Sequence, residues 1–184
     1  LLLWYGNACL LHRNNLTENP SLALIGWLLL ACAVIPIGEN VKDSSADTWQ
    51  VPPLIIYGAW AILGVGYSLS GLHKYFLSPS WVNGEALRYV LESPLAYPWA
   101  QNFWLPRFHA PLALMTEAVL WSEILFGFAC LCRFTRGVAW LVMSSIHLGL
   151  LLTISFPELT IGVLIFQLFV FDARWLPSRE VVKQ

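Results

Sequence analysis

The chain has 184 residues, 58% of them hydrophobic and only 11% charged, with a formal net charge of −1 and a mean hydropathy of +0.64. Soluble domains average about 25% charged residues, so this composition excludes an ordinary soluble domain and indicates an integral membrane protein. The near-neutral charge offers no basic surface for nucleic acid.

In chain order, Leu1–Leu11 is an apolar run with no basic n-region and no cleavage site, so it does not read as a signal peptide. It reads as the end of a span, with upstream spans missing. His12–Asn19 is a polar loop, and Pro20 suits the first turn of the next helix. Ser21–Ile37 is an apolar span closed by Pro36 and Gly38, and Glu39–Gln50 is a polar loop. Val51–Leu77 is long enough to cross with tilt. Ser78–His109 is polar and aromatic, rich in proline, and reads as an amphipathic extracytoplasmic segment with short helices. Gly84–Leu91 is the best of these, with Asn83 as its cap. Ala110–Cys132 is a span, Arg133–Arg136 a tight basic turn, and Gly137–Phe156 a further span. Pro157 breaks the run. Leu159–Phe171 is a short final span or half-span, and a polar tail follows, from Asp172 and over 173–184. The expected fold is thus all-α and polytopic, a single transmembrane domain over 1–184 with about five spans.

Several aromatic residues lie near the span ends, as an interfacial belt requires: Trp4, Trp49, Trp81, Trp99, Trp104 and Trp175. The cysteines Cys9, Cys32, Cys130 and Cys132 sit in apolar runs and read as inert thiols, without zinc-type spacing. Parity places Lys42, Arg133, Arg136, Arg174, Arg179 and Lys183 on one side, against Arg13, Arg88 and Arg107 on the other. The positive-inside rule then gives a cytoplasmic C-terminus, with Lys74 and the Ser78–His109 segment facing out.

Lys74 closes the Val51–Leu77 span. An ionisable group at the edge of an apolar helix is expensive and is a functional-site candidate. Tyr67, Ser70, Gly71 and Lys74 follow i, i+3, i+4, i+7 spacing and share one helical face, which is expected to open a cavity beside the amine. The plainer reading is a lysine that snorkels to the interface. His147 lies within a span with Ser144 on its face; it is either an interhelical hydrogen bond, a cavity residue or a pigment ligand. Glu117 and Glu123 share a span and need partners, with Lys74, Arg107 and His147 as candidates.

The segment Tyr67…Ser70-Gly71-Leu72-His73-Lys74…Trp81-Val82-Asn83-Gly84 resembles the Gly-x-x-Lys…Trp-x-x-Gly signature of the vitamin K-dependent gamma-carboxylase family. It is similar also to that family's bacterial relatives, the horizontally transferred transmembrane (HTTM) domain proteins. His12-Arg13-Asn14-Asn15-Leu16-Thr17 resembles the Arg-Asn loop of HTTM domains. The stretch from Ile146-His147 to Trp175-Leu176-Pro177 resembles the late His-bearing helix, the short helix after it and the Trp-Pro exit. The resemblance covers nearly the whole chain. It implies Lys74 as a general base toward a vitamin K-like quinol. On that reading His147 is the second catalytic candidate, and Tyr67, Gly71, Trp81 and Glu123 are the candidates to hold a quinone-like cofactor. Where the carboxylases carry polar side chains after this histidine, the present chain has Leu148-Gly149-Leu150-Leu151, a departure that weakens the expectation of oxygen or carbon dioxide chemistry. Two other roles stand beside the enzyme: a non-catalytic subunit of a larger membrane complex, and a lipid- or pigment-binding module. Membrane lipids are the expected partners in every case.

Overall fold

The computed structural model describes residues 1–13, 20–33 and 51–175. The His12–Asn19 motif beyond Arg13, the Glu39–Gln50 loop with Lys42 and Trp49, and the tail from Leu176 with Arg179 and Lys183 lie outside the described residues. Among those described, the chain is all-helical apart from one isolated antiparallel bridge between Ala96 and Ile154. The helices are α1 (Leu2–Arg13), α2 (Pro20–Cys32), α3 (Pro53–Leu77), α4 (Pro79–Val82), α5 (Ala86–Glu92), α6 (Pro98–Trp104), α7 (His109–Leu131), α8 (Arg136–Thr153) and α9 (Glu158–Phe169). A 3-10 turn, Ala173–Trp175, follows.

Among the described residues, three helices are long and apolar enough to cross a bilayer: α3 with 25 residues, α7 with 23 and α8 with 18. At 1.5 Å per residue they measure from roughly 27 to roughly 37 Å, which brackets the ~30 Å hydrocarbon core. The apolar helices α2 and α9 are shorter and pack mainly on each other. Large apolar side chains such as Leu69, Phe128, Leu141 and Leu148 stay exposed along the long helices. Lipid is the solvent that suits such surfaces.

Proline starts four of these elements. Pro20, Pro53, Pro79 and Pro98 occupy first-turn positions of α2, α3, α4 and α6, where a missing N–H costs nothing. The helix expected to open at Gly84 begins instead at Ala86. Gly84 takes φ +73, a left-handed conformation, directly against Ala113 of α7. Asn83, expected as a cap for that helix, ends α4 instead. Helix α8 also stops short of Phe156. Ile154 turns extended, Tyr97 N–H donates to the Thr153 carbonyl (2.9 Å), and Ser155 N–H donates to the Leu95 carbonyl (2.7 Å). Backbone that leaves a helix must find new partners, and the 78–109 segment supplies them.

The tightest pairing is α3 on α7. A Cβ on Gly71 would lie 2.7 Å from the Ile124 nitrogen, and one on Gly127 2.6 Å from Ser68 Oγ. Small residues thus let the two backbones approach. Ser68 adds a polar clasp, donating to the Ile124 carbonyl (3.0 Å) and accepting from Gly127 N–H (3.0 Å). The main core joins Trp60 and Leu63 of α3, Phe126 of α7, Met143 of α8 and Phe166 of α9. A smaller cluster, with Leu91, Ala100 and Leu112, lies under the 78–109 segment.

Candidate functional site

Lys74 sits in the last turn of α3, where its amine can reach across to α7 while its carbonyl accepts from Ser78 N–H. Its Nζ donates to both carboxylate oxygens of Glu123, at 2.5 and 2.7 Å. The Trp81 ring covers the amine, with Nζ 4.4 Å from the ring centroid. That stacking is a cation–π contact added to an ion pair. Glu123 is 7% exposed, and the Lys74 side chain retains 24% of its exposure. The pair is therefore reachable from the lysine side only. Glu117, one helical face away, is exposed, so the two acids of α7 have different fates. His73 is exposed beside Lys74 and points away from the pair.

A second polar group lies deeper. Ser144 Oγ donates to Gln167 Oε1 (2.5 Å), Gln167 Nε2 donates to the Tyr67 hydroxyl (2.9 Å), and that hydroxyl lies 2.8 Å from His147 Nε2. Gln167 donates into the Tyr67 oxygen, and the direction of the Tyr67–His147 bond follows the ring's tautomer. With the phenolic proton on His147 Nε2's side, the imidazole proton sits on Nδ1, a buried atom without a hydrogen-bond partner among the described residues. The chain runs from α8 to α9 to α3 and back to α8. The Trp140 indole N–H adds a bond to the Gln167 carbonyl (2.8 Å).

Both groups border one cavity of about 420 Å³ among α2, α3, α7, α8 and α9. Tyr67, Ser70, Lys74, Glu123 and His147 supply its polar edge, and its other walls are aliphatic, including Leu24, Ile62 and Val163. This size falls within the range of small-molecule sites, about 300–1,000 Å³, and a few convergent polar groups in apolar walls is their usual chemistry. Five of the residues singled out from sequence thus line the cavity, Tyr67, Ser70, Lys74, Glu123 and His147, and Trp81 joins them through its contact with Lys74. Gly71 does not line the cavity. It faces the α3–α7 seam, so three of the four residues on the expected face open to the cavity and the glycine closes the packing behind them.

Sequence reading missed Gln167, which is 1% exposed and orients the whole Tyr67–His147 pair. The signal was available, since an amide alone in an apolar helix needs a buried partner. It missed Gly66 as well. Gly66 lines the cavity, and no atom lies within 4 Å of where a Cβ on it would sit. The four cysteines are free thiols. Among the described residues, no cluster of three or more His, Cys, Asp or Glu side chains could hold a metal ion.

Comparison with known proteins gives no match. No protein-family model, curated protein or solved structure matches this chain.

Proposed function

We propose that this protein is a multi-pass membrane protein of the HTTM and gamma-carboxylase kind that binds a quinone-like amphiphile in the cavity between α3 and α8. The observation that carries this reading is the shared border. The Lys74–Glu123 pair and the Tyr67–His147 pair edge one otherwise apolar cavity of about 420 Å³. Its donor set fits a flat ring bearing oxygens, because hydroxyl and amine groups cluster on one edge and aliphatic walls take the ring faces. A bound quinone would supply redox and acid–base chemistry at its oxygens.

The residues of this chain would do the rest. Lys74 is the base, and Glu123 controls its availability. A proton passing from Lys74 Nζ to Glu123 turns an ammonium–carboxylate pair into a neutral amine and acid, with no net charge left in the bilayer. The neutral amine can then take a proton from a ligand hydroxyl. Trp81 holds the cation when the proton returns. Tyr67, oriented by Gln167, positions the His147 ring. Aliphatic walls exclude water from the edge where the proton moves. The apolar Leu148–Leu151 stretch after His147 supports binding and proton exchange over a carboxylation step.

In this reading α2 and α9 cross the membrane with α3, α7 and α8. The 78–109 segment caps the Lys74 end on the outer face, and the C-terminus is cytoplasmic. The basic turn with Arg133 and Arg136 lies at the opposite end of α7 from that segment, which supports the orientation. One observation favours a non-catalytic subunit instead: both oxygens of Glu123 already engage Lys74, as in a closed structural ion pair.

Native mass spectrometry with cofactor extraction on gently solubilised protein separates the two. Stoichiometric quinone in the wild type, lost in Gly66→Leu, supports the binding reading. Co-purified subunits without quinone overturn it in favour of the subunit.

A further inference from the structure

The hydroxyl groups of the long helices have protein partners, with one exception. On α7 and α8, Thr116, Ser122, Ser145 and Thr153 donate to carbonyls of their own helix, one turn back. Ser144 donates to Gln167, and Ser68 of α3 donates to the Ile124 carbonyl. Among the serines and threonines of α3, α7 and α8, Ser70 alone makes no hydrogen bond with any described residue. It is half-buried and borders the cavity of about 420 Å³. An unpaired hydroxyl in apolar surroundings costs free energy, and the carbonyl one turn back is its usual partner in a helix. Ser70 does not make that bond to Gly66.

The other polar groups of the cavity are engaged with one another. Lys74 Nζ donates to both Glu123 oxygens under the Trp81 ring, and the Tyr67 hydroxyl is shared by Gln167 and His147. Ser70 is therefore the uncommitted donor of the polar edge. It stands one turn before Lys74 on the same face of α3, a spacing that sets side chains ~5–6 Å apart. A ligand oxygen at Ser70 and another at the amine would lie across a single six-membered ring.

We propose that Ser70 is a specificity-determining residue of this site: its hydroxyl donates to the ligand oxygen farther from Lys74, and so selects rings with an oxygen at each end over rings with one. The inference rests on the quinone-like reading above and adds the residue that fixes the second oxygen. Two observations favour a ligand contact over a structural role. Ser70 has no protein partner to lose, and the polar clasp of the α3–α7 seam is already made by Ser68, which does not line the cavity.

The test uses the full chain in lipid nanodiscs and tetramethylbenzoquinone with ¹³C-labelled carbonyls. Tetramethylphenol, with one oxygen, is the comparison ligand. Wild type, Ser70→Ala and Ser70→Thr are compared by equilibrium binding and by infrared difference spectra, in which a hydrogen bond lowers the carbonyl stretch. Thermal unfolding of the ligand-free protein is measured alongside, with Ser68→Ala as the control.

Ser70→Ala should bind the quinone about three- to tenfold more weakly, the range for losing one neutral hydrogen bond. Its affinity for tetramethylphenol should not change, because a single hydroxyl goes to the charged pair, where hydrogen bonds are stronger. One carbonyl band should rise in Ser70→Ala and stay low in Ser70→Thr, which keeps the donor. Ligand-free Ser70→Ala should unfold no earlier than wild type, since alanine removes no bond and is the better helix former. Ser68→Ala should unfold earlier. Equal quinone affinity and unchanged bands in Ser70→Ala overturn the contact while leaving quinone binding in place. Weaker binding with unchanged bands overturns it too, because the serine would then act through the fold. Ligand-free destabilisation of Ser70→Ala equal to that of Ser68→Ala overturns it as well, by showing that the hydroxyl already has a partner in the protein. Wild type that binds no quinone overturns the functional reading and the Ser70 contact together.

Discussion

The two flanks of the central helices use glycine in opposite ways. Along α3 and α7, Gly64, Gly71 and Gly127 remove side chains so that backbones touch: a Cβ on Gly64 would sit 2.9 Å from Cys130 Sγ, and one on Gly71 2.7 Å from the Ile124 nitrogen. Along the cavity flank, Gly66 and Gly149 face open space. The first group makes a seam; the second leaves room. The polar residues follow the same division. Ser68 fastens the seam from within, whereas Tyr67, one residue earlier, reaches across the gap to His147 and Gln167. A one-residue step on α3, about 100° of turn, therefore separates a rigid contact from a binding surface.

The Lys74–Glu123 pair belongs to both sides, and breaking it should have the largest effect. Lys74→Ala leaves the Glu123 carboxylate buried without a partner. The expected cost is about 3 kcal/mol, the lower end for removing one member of a buried pair. Replacing both, Lys74→Met with Glu123→Leu, should recover most of that loss, because no charge is then left in an apolar site. Reversible unfolding in bilayer-like micelles measures both. A double variant as unstable as the single one would mean the charges themselves hold the seam.

Next in size is the seam. Gly71→Ala drives a Cβ against backbone at Ile124, which cannot rotate away. The helices must part, at about 1–3 kcal/mol for overpacking. The same measurement on Gly66→Ala should show no loss. Equal losses at the two positions would erase the contrast between seam and cavity.

A smaller effect is expected inside the hydrogen-bonded chain. Tyr67→Phe keeps the ring edge-to-face with Phe126, at 4.8 Å between centroids, but removes the hydroxyl that Gln167 and His147 share. The cost should be about 1–2 kcal/mol, softened because polar groups in membranes find other partners. The sharper readout is the His147 ring in a ¹⁵N spectrum. Wild type should show the Nδ1-protonated tautomer, and Tyr67→Phe should change the Nε2 shift. An unchanged ring would mean that Tyr67 does not set the tautomer.

The long elements were legible because an apolar run of span length has few alternatives in water or lipid. Val51–Leu77 and Ala110–Cys132 match α3 and α7 within two residues at each end. The Lys74–Glu123 pairing was within reach for the same reason, since charges within spans are few and each needs a partner. Ends set by tertiary contact were not legible. Helix α8 stops at Thr153 because Ala96, far away in sequence, pairs with Ile154. Nor could sequence separate Gly71 from Gly66. Spacing places a residue on a face, but which neighbour meets that face depends on how the helices pack.

The smallest expected effect is the most selective test of that last point. Gly149→Ala adds a methyl group that meets nothing within 4 Å, and it exchanges the poorer helix former for the best one. Stability should rise by about 0.5–1 kcal/mol, through lost freedom in the unfolded chain and better helix propensity. Thr153 Oγ1 donates to the Gly149 carbonyl at 2.8 Å, and that bond survives because it uses only backbone at 149. A gain at Gly149 beside a loss at Gly71 would establish that the two glycines differ by surroundings and not by residue type. A loss at both would mean α8 packs closer to α5 and α7 than its open flank implies.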